Sequence, residues 1–256
     1  MMKEMDRRDL PSLDKDTKYA LVTGASGDIG REIAIALAKE GFHLYLHYYR
    51  NEQAIQLLRE ELLSFHVDVI PIQADFTNSD MITRLQESIF QLDVFVHAAG
   101  NSYYGLFQDT PDQELKNLWD IHVHFPMQLL QKWIPKLQQS ESGRIIFISS
   151  IWGEVGAAME VAYSAVKGAQ IAFCKALAQE IALSGTTVNV VSPGMVDTKM
   201  NHLFDEEEKT AILADIPMHR FAKPSEVGDV VVFLASDRAS YITGQTMRLN
   251  GGWFMR

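Results

Sequence analysis

Tyr163 and Lys167, in "VAYSAVKGAQ" at 161–170, stand four residues apart. On a helix that spacing puts both side chains on one face. An ammonium beside a phenol stabilises the phenolate and lowers the phenol's pKa, which makes the hydroxyl a usable proton donor and acceptor. An exposed Tyr/Lys pair with no chemistry has the same spacing. A second stretch, "ALVTGASGDIG" at 20–30, reads as a strand, a glycine-rich turn and the start of a helix. Gly24, Gly27 and Gly30 would let backbone approach a phosphate, and the helix N-terminus offers free N–H donors at a positive dipole end. A tight turn that binds nothing has similar composition, and Asp28 puts a carboxylate where a pyrophosphate would approach. Cys174 is the only cysteine. It cannot form an internal disulfide, which fits a reducing compartment, and it reads as a small buried side chain rather than a nucleophile.

These residues need elements to hold them in place. Short apolar runs at 19–23, 44–48, 67–73, 93–99, 144–149, 187–192 and 246–250 read as strands. Helical spacing occupies 29–39, 52–64, 79–90, 112–134, 160–183 and 224–235, with a mixed segment up to 215. Near-continuous apolar strands alternating with helices predict an α/β fold: a doubly wound, Rossmann-type parallel sheet with helices on both faces. The 256 residues suffice for one such domain, assigned to 18–256, after a flexible polar N-terminal tail at 1–17. Net charge is −10, with no dense Lys/Arg cluster, so no nucleic-acid partner is expected. The N-terminus lacks the apolar core of a secretory signal, and "VVVFLA" at 230–235 is too short to span a bilayer. A cytoplasmic protein with no membrane partner is expected, and no metal site.

The chain resembles the short-chain dehydrogenases/reductases, of the 3-oxoacyl-carrier-protein reductase type, over about 18–254. The matching pieces, in order, are "TGASGDIG", "QADFTN", "HAAG", "FISS", "YSAVK", "VNVVSPGMVDTKM", "RFAKPSEV" and "YITGQTMRLNGG". The resemblance implies that Tyr163 is the acid/base, that Lys167 holds the nicotinamide ribose and tunes Tyr163, and that Ser150 hydrogen-bonds the substrate oxygen. It implies cofactor contacts at Gly24, Ser26, Asp28, Ile29 and Gly30 in the first turn, and at Asp75 and Phe76 near the adenine. Further contacts are implied at Ala98, Ala99 and Gly100, and at Pro193, Gly194, Val196 and Thr198 around the nicotinamide. The segment 195–215 would be a substrate lid. The family is commonly tetrameric, and the C-terminal stretch looks like its interface segment, so a homotetramer is expected.

The chain departs from the family pattern at three points. Asp28 replaces a glycine and is read as pointing to solvent or capping N–H groups. His97 replaces an asparagine and is read as hydrogen-bonding backbone near its strand. His122, 28 residues before Ser150, replaces an asparagine that helps place a water on a proton path to the lysine. A histidine there could relay a proton near neutral pH or simply pack. At the end of the second strand Tyr48 takes the place of the acid that reads a free ribose, and Arg50 follows, which favours NADPH/NADP over NADH. "SSIWGE", His122 and "VKGAQ" resemble the elongation factor P 5-aminopentanone reductases. The substrate is therefore read as a ketone carried on elongation factor P. Acyl-carrier-protein substrates are the alternative, and a catalytically idle nucleotide-binding protein is a third reading that the intact Ser150, Tyr163 and Lys167 oppose. Trp152 and Glu154 are the expected readers of the substrate's ammonium.

Overall fold

The structure is a computed structural model that describes residues 17–199 and 205–255. The expected tail lies outside the described residues except for Thr17, as does 200–204 of the expected lid. The strands are β1 (Tyr19–Thr23), β2 (His43–Tyr48), β3 (Val69–Gln73), β4 (Val94–His97), β5 (Arg144–Ile148), β6 (Thr187–Pro193) and β7 (Thr246–Leu249). They form one parallel sheet in the order β3-β2-β1-β4-β5-β6-β7. Helices α1 (Asp28–Lys39), α2 (Glu52–Leu62), α3 (Ser79–Ser88), α4 (Asp112–Trp119), α5 (Phe125–Gln139), α6 (Trp152–Val155), α7 (Val161–Ile181), α8 (Glu206–Asp215) and α9 (Pro224–Ala235) fill the connections.

Strand side chains alternate between faces, so each central strand feeds two cores. Ala20, Val22, Leu44 and Leu46 pack with Ile33 of α1, Leu58 of α2 and Val231 of α9. Tyr19, Leu21, Tyr45 and Phe95 pack with Leu85 of α3, Trp133 of α5 and Leu177 of α7. Each fully buried large apolar side chain contributes about 1.5–3 kcal/mol, which is why these runs read as strands although they lack polar alternation. Side-chain caps help to start three helices: Asn51 accepts from the N–H of Ala54, Asn78 from those of Asp80 and Met81, and Asp205 from that of Glu208.

The expected helix over 112–134 is in fact three pieces. Between α4 and α5, Asp120–His124 widens into a π turn. The Gln170 side chain on α7 donates to the His122 carbonyl at 2.8 Å and pins that turn against α7. The short α6 and the ten-residue α8 were not expected as helices; α8 falls in the stretch read as mixed. Strand order reverses at β1, between β2 and β4, and in such sheets ligands bind beyond the strands' carboxyl ends at that switch point. Among the described residues no helix is long and apolar enough to cross a membrane.

Candidate active site

β5 ends at Ile148 and delivers Ser149 and Ser150 to the sheet edge. Ser149 Oγ donates to the Lys167 carbonyl at 2.9 Å, tying α7 to that edge. One turn of α7 then sets Tyr163 and Lys167 side by side. Lys167 Nζ donates to the Ile148 carbonyl at 2.8 Å and lies 5.5 Å from the Tyr163 ring centroid. Ser150 Oγ accepts the Trp152 N–H at 3.2 Å, and the Ser150 side chain works to lower the Tyr163 pKa. The three residues therefore meet at one point and line one cavity of about 670 Å³.

Burial of the Lys167 ammonium lowers its pKa to about 7. The Tyr163 phenol is pushed above its ordinary value, first by burial and then by the charge of Glu160, while the Ser150 side chain works the other way. The expectation that Lys167 depresses the phenol's pKa is thus corrected for the protein without a bound cofactor. Desolvation of the phenol dominates, and the burial that lowers the Lys167 pKa limits the charge available to oppose it. Tyr163 stays protonated, which is the form that can donate.

His122 is fully buried on the π turn and lines the cavity. Its Nε2 meets the Asn101 carbonyl at 2.8 Å, so Nε2 carries the proton and Nδ1 is a bare acceptor with no partner among the described residues. A Cβ on Gly100 would come within 2.4 Å of the His122 ring, so only glycine fits at that position. Burial, and next the Lys167 charge, hold the imidazole well below its usual pKa. Of the two readings left open for His122, relay or packing, the neutral ring with one fixed tautomer does not support relay as an imidazolium. His97 Nδ1 meets the Thr23 hydroxyl at 3.0 Å, and Thr23 Oγ1 accepts the Ala98 and Ala99 N–H groups. His97 thus bonds the Thr23 hydroxyl, which in turn holds the backbone N–H groups just beyond β4.

Ile29, Ala98, Gly100, Pro193, Gly194, Val196 and Thr198 line the same cavity as Tyr163. Gly24, Ser26 and Gly30 form the adjoining β1–α1 turn. Gly24 has φ +69°, and a Cβ there would lie 2.7 Å from Ala99 Cα. The helix that follows starts at Gly27 with no side-chain cap, so its first N–H groups keep no side-chain acceptor. Asp28 neither caps its own helix nor lines the cavity: its carboxylate accepts the Lys199 N–H at 2.7 Å and ties the first turn to the segment after β6. The Ala222 N–H and carbonyl bond Met195 and Asp197, holding that segment's base. Asp75 accepts the Thr77 N–H and hydroxyl through one oxygen. These features fit a dinucleotide laid across the switch point.

Two expected cofactor side chains lie elsewhere. Tyr48 is 7% exposed and packs in the core at the end of β2. Phe76 is buried and stacks on His47 at 4.2 Å. Arg50 is exposed, with its guanidinium 4.3 Å from the centroid of the Tyr49 ring, which sequence reasoning passed over. Trp152 lines the cavity and Glu154 does not. The Glu154 carboxylate accepts from Ser192 Oγ and from Arg248 Nε, each at 2.7 Å, so it cannot serve as the ammonium reader. Glu160, Tyr104 and Trp253 line the cavity and were not anticipated. The position of Glu160, three residues before Tyr163, was the one signal that could have found it.

A family model described as enoyl-(acyl carrier protein) reductase matches residues 24–254. The Bacillus subtilis oxidoreductase YmfI is 44% identical over 238 residues, which is 92% of this chain and 98% of its own length. The 3-oxoacyl-[acyl-carrier-protein] reductase of Staphylococcus aureus is 38% identical over 245 residues, 94% of this chain and 100% of its own. The crystal structure of YwfH, an NADPH-dependent reductase involved in bacilysin biosynthesis, superposes with a TM-score of 0.88 at 27% identity, covering 94% of this chain and 100% of that one.

Proposed function

The chain belongs to the short-chain dehydrogenase/reductase family, and from that premise we propose that its cavity reduces a ketone with NADPH. The observation that carries this reading is the meeting of Ser150, Tyr163 and Lys167 in a cavity whose wall also includes Ile29 of α1 and Ala98 and Gly100 just after β4. When bound, the cofactor supplies a hydride to the carbonyl carbon. The chain's own residues then deal with the charge that develops on oxygen. Ser150 Oγ orients and hydrogen-bonds that oxygen. The protonated Tyr163 hydroxyl gives it a proton. Lys167, charged below about pH 7, favours the phenolate that is left behind. His122 offers its Nδ1 as an acceptor on the cavity wall and does not act as an imidazolium.

The preference for NADPH rests on Arg50, an exposed guanidinium at the end of β2 where an acid would favour NADH. Arg50→Ala should raise KM for NADPH about tenfold, the scale of one charge-assisted hydrogen bond weakened by exposure, and change KM for NADH little. Steady-state kinetics with each cofactor measure this. Equal losses would assign Arg50 to the shape of the turn alone.

Within that reaction we take the substrate to be the 5-aminopentanone on elongation factor P. The resemblance of "SSIWGE" and "VKGAQ" supports it. So does the burial of Arg144, the one base of the turn "LQQSESGR", which leaves that turn little positive charge for an acidic carrier protein. The second reading, reduction of 3-oxoacyl groups on acyl-carrier protein, is favoured by the Staphylococcus aureus relative. NADPH consumption measured with acetoacetyl-carrier protein and with modified elongation factor P tests both: turnover of the first alone discards our reading. The exposed Leu106, Phe107, Trp119 and Val161 around α4 and the start of α7 support an assembly of several copies, for which we retain the homotetramer.

A further inference from the structure

Glu160 is the residue before α7 and occupies its N-cap position, yet its side chain makes no capping bond. It lines the substrate cavity instead, together with Trp152, whose side chain partly offsets the rise that burial gives the Glu160 pKa. Trp152 meets Trp253 edge-on at 5.3 Å and Phe254 at 5.8 Å, and Trp253 also lines the cavity. Among the described lining residues the one cationic side chain is Lys167, turned to the Ile148 carbonyl. The other lining acid, Glu208, is exposed and accepts the Asp205 N–H in the capping box of α8. The loop that carries Glu160 is strained, with Met159 at φ +66°, and is held by the Gly105 N–H on the Met159 carbonyl at 2.8 Å and the Ala157 N–H on Ser164 Oγ at 3.1 Å.

We infer that Glu160 and Trp152 form a cation-reading subsite, by which the cavity selects ketones whose chain carries an alkylammonium group. This rests on the ketone-reductase reading above. A carboxylate beside aromatic rings is the chemistry that binds such a group, through charge and through the ring faces together. Burial raises the Glu160 pKa, so its anion is costly to keep without a counter-charge, and an arriving ammonium would supply one. Recognition is also coupled to chemistry. The Glu160 charge makes Tyr163 a weaker acid, so a cation placed on Glu160 offsets that field and makes Tyr163 a better proton donor. The matched substrate would then bind more tightly and also react faster.

The test uses two methyl ketones of the same shape, one ending in a trimethylammonium group and one in its neutral tert-butyl isostere. With the full chain and NADPH, wild type should show kcat/KM about tenfold higher for the cationic ketone. In Glu160→Gln the ratio should fall close to one. Trp152→Phe, which keeps a ring and loses the N–H, should lower it part-way and serves if the Gln variant does not fold. A wild type without preference, or a ratio that Glu160→Gln leaves unchanged, overturns the subsite. If wild type reduces neither ketone, the reductase reading fails by itself. The subsite is then decided by tryptophan-fluorescence titration with the same pair: tighter binding of the cation, lost in Glu160→Gln, sustains it, and equal binding overturns it.

Discussion

Tyr163→Phe is expected to lower ketone turnover by about 10²–10⁴-fold, the usual contribution of a positioned general acid. The ring remains, so its T-shaped contact with His122 at 5.7 Å and the local packing persist, and NADPH should bind nearly as before. What disappears is the hydroxyl that faces the cavity beside Ser150 and is kept protonated by burial. The loss should fall on kcat far more than on KM, because the proton moves only in the transition state. Steady-state rates together with NADPH titration separate the two effects. Unchanged turnover would remove Tyr163 from the mechanism; lost cofactor binding would make its role structural.

Much of this site was legible in the sequence because its signals are local. Tyr163 and Lys167 share a helix face by spacing alone, and the apolar runs that became β1, β4 and β5 mark the sheet edge that presents Ser150. What escaped depends on contacts between distant segments. Glu154 looked free because its partners, Ser192 and Arg248, lie 38 and 94 residues away. Asp28 looked out of place in its turn because the N–H that it accepts belongs to Lys199, 171 residues on. The π turn at 120–124 kept the apolar spacing of an ordinary helix, so nothing in the pattern announced the turn that presents His122. The direction of the Tyr163 pKa also needed the fold: proximity to Lys167 was visible, while the burial that overrides it was not.

Lys167→Met should lower turnover by about 10²–10³-fold, the scale for losing one preorganised electrostatic group, and at the same time make the protein more stable. The two effects have a common origin in burial. The lysine is 5% exposed, and its pKa falls from the ordinary 10.5 to about 7. Between those values the unfolded chain binds a proton that the folded chain releases, so wild-type stability rises as pH increases from about 7 towards 10.5. Below about 7 the group is charged in both states and the full cost of burying it remains. Methionine fills similar volume without that cost. The gain in thermal stability should therefore be largest below pH 7 and fade as pH approaches 10.5. Activity should show the opposite side of the same titration. In wild type, kcat/KM for ketone reduction should fall as pH rises through about 7 and Lys167 loses its charge; in Lys167→Met the residual rate should be flat across that range. Thermal melts and pH–rate profiles of the two proteins measure both effects. A variant that loses activity and stability together would make Lys167 a packing residue, whereas lost activity with gained stability is what a buried cation kept for chemistry requires.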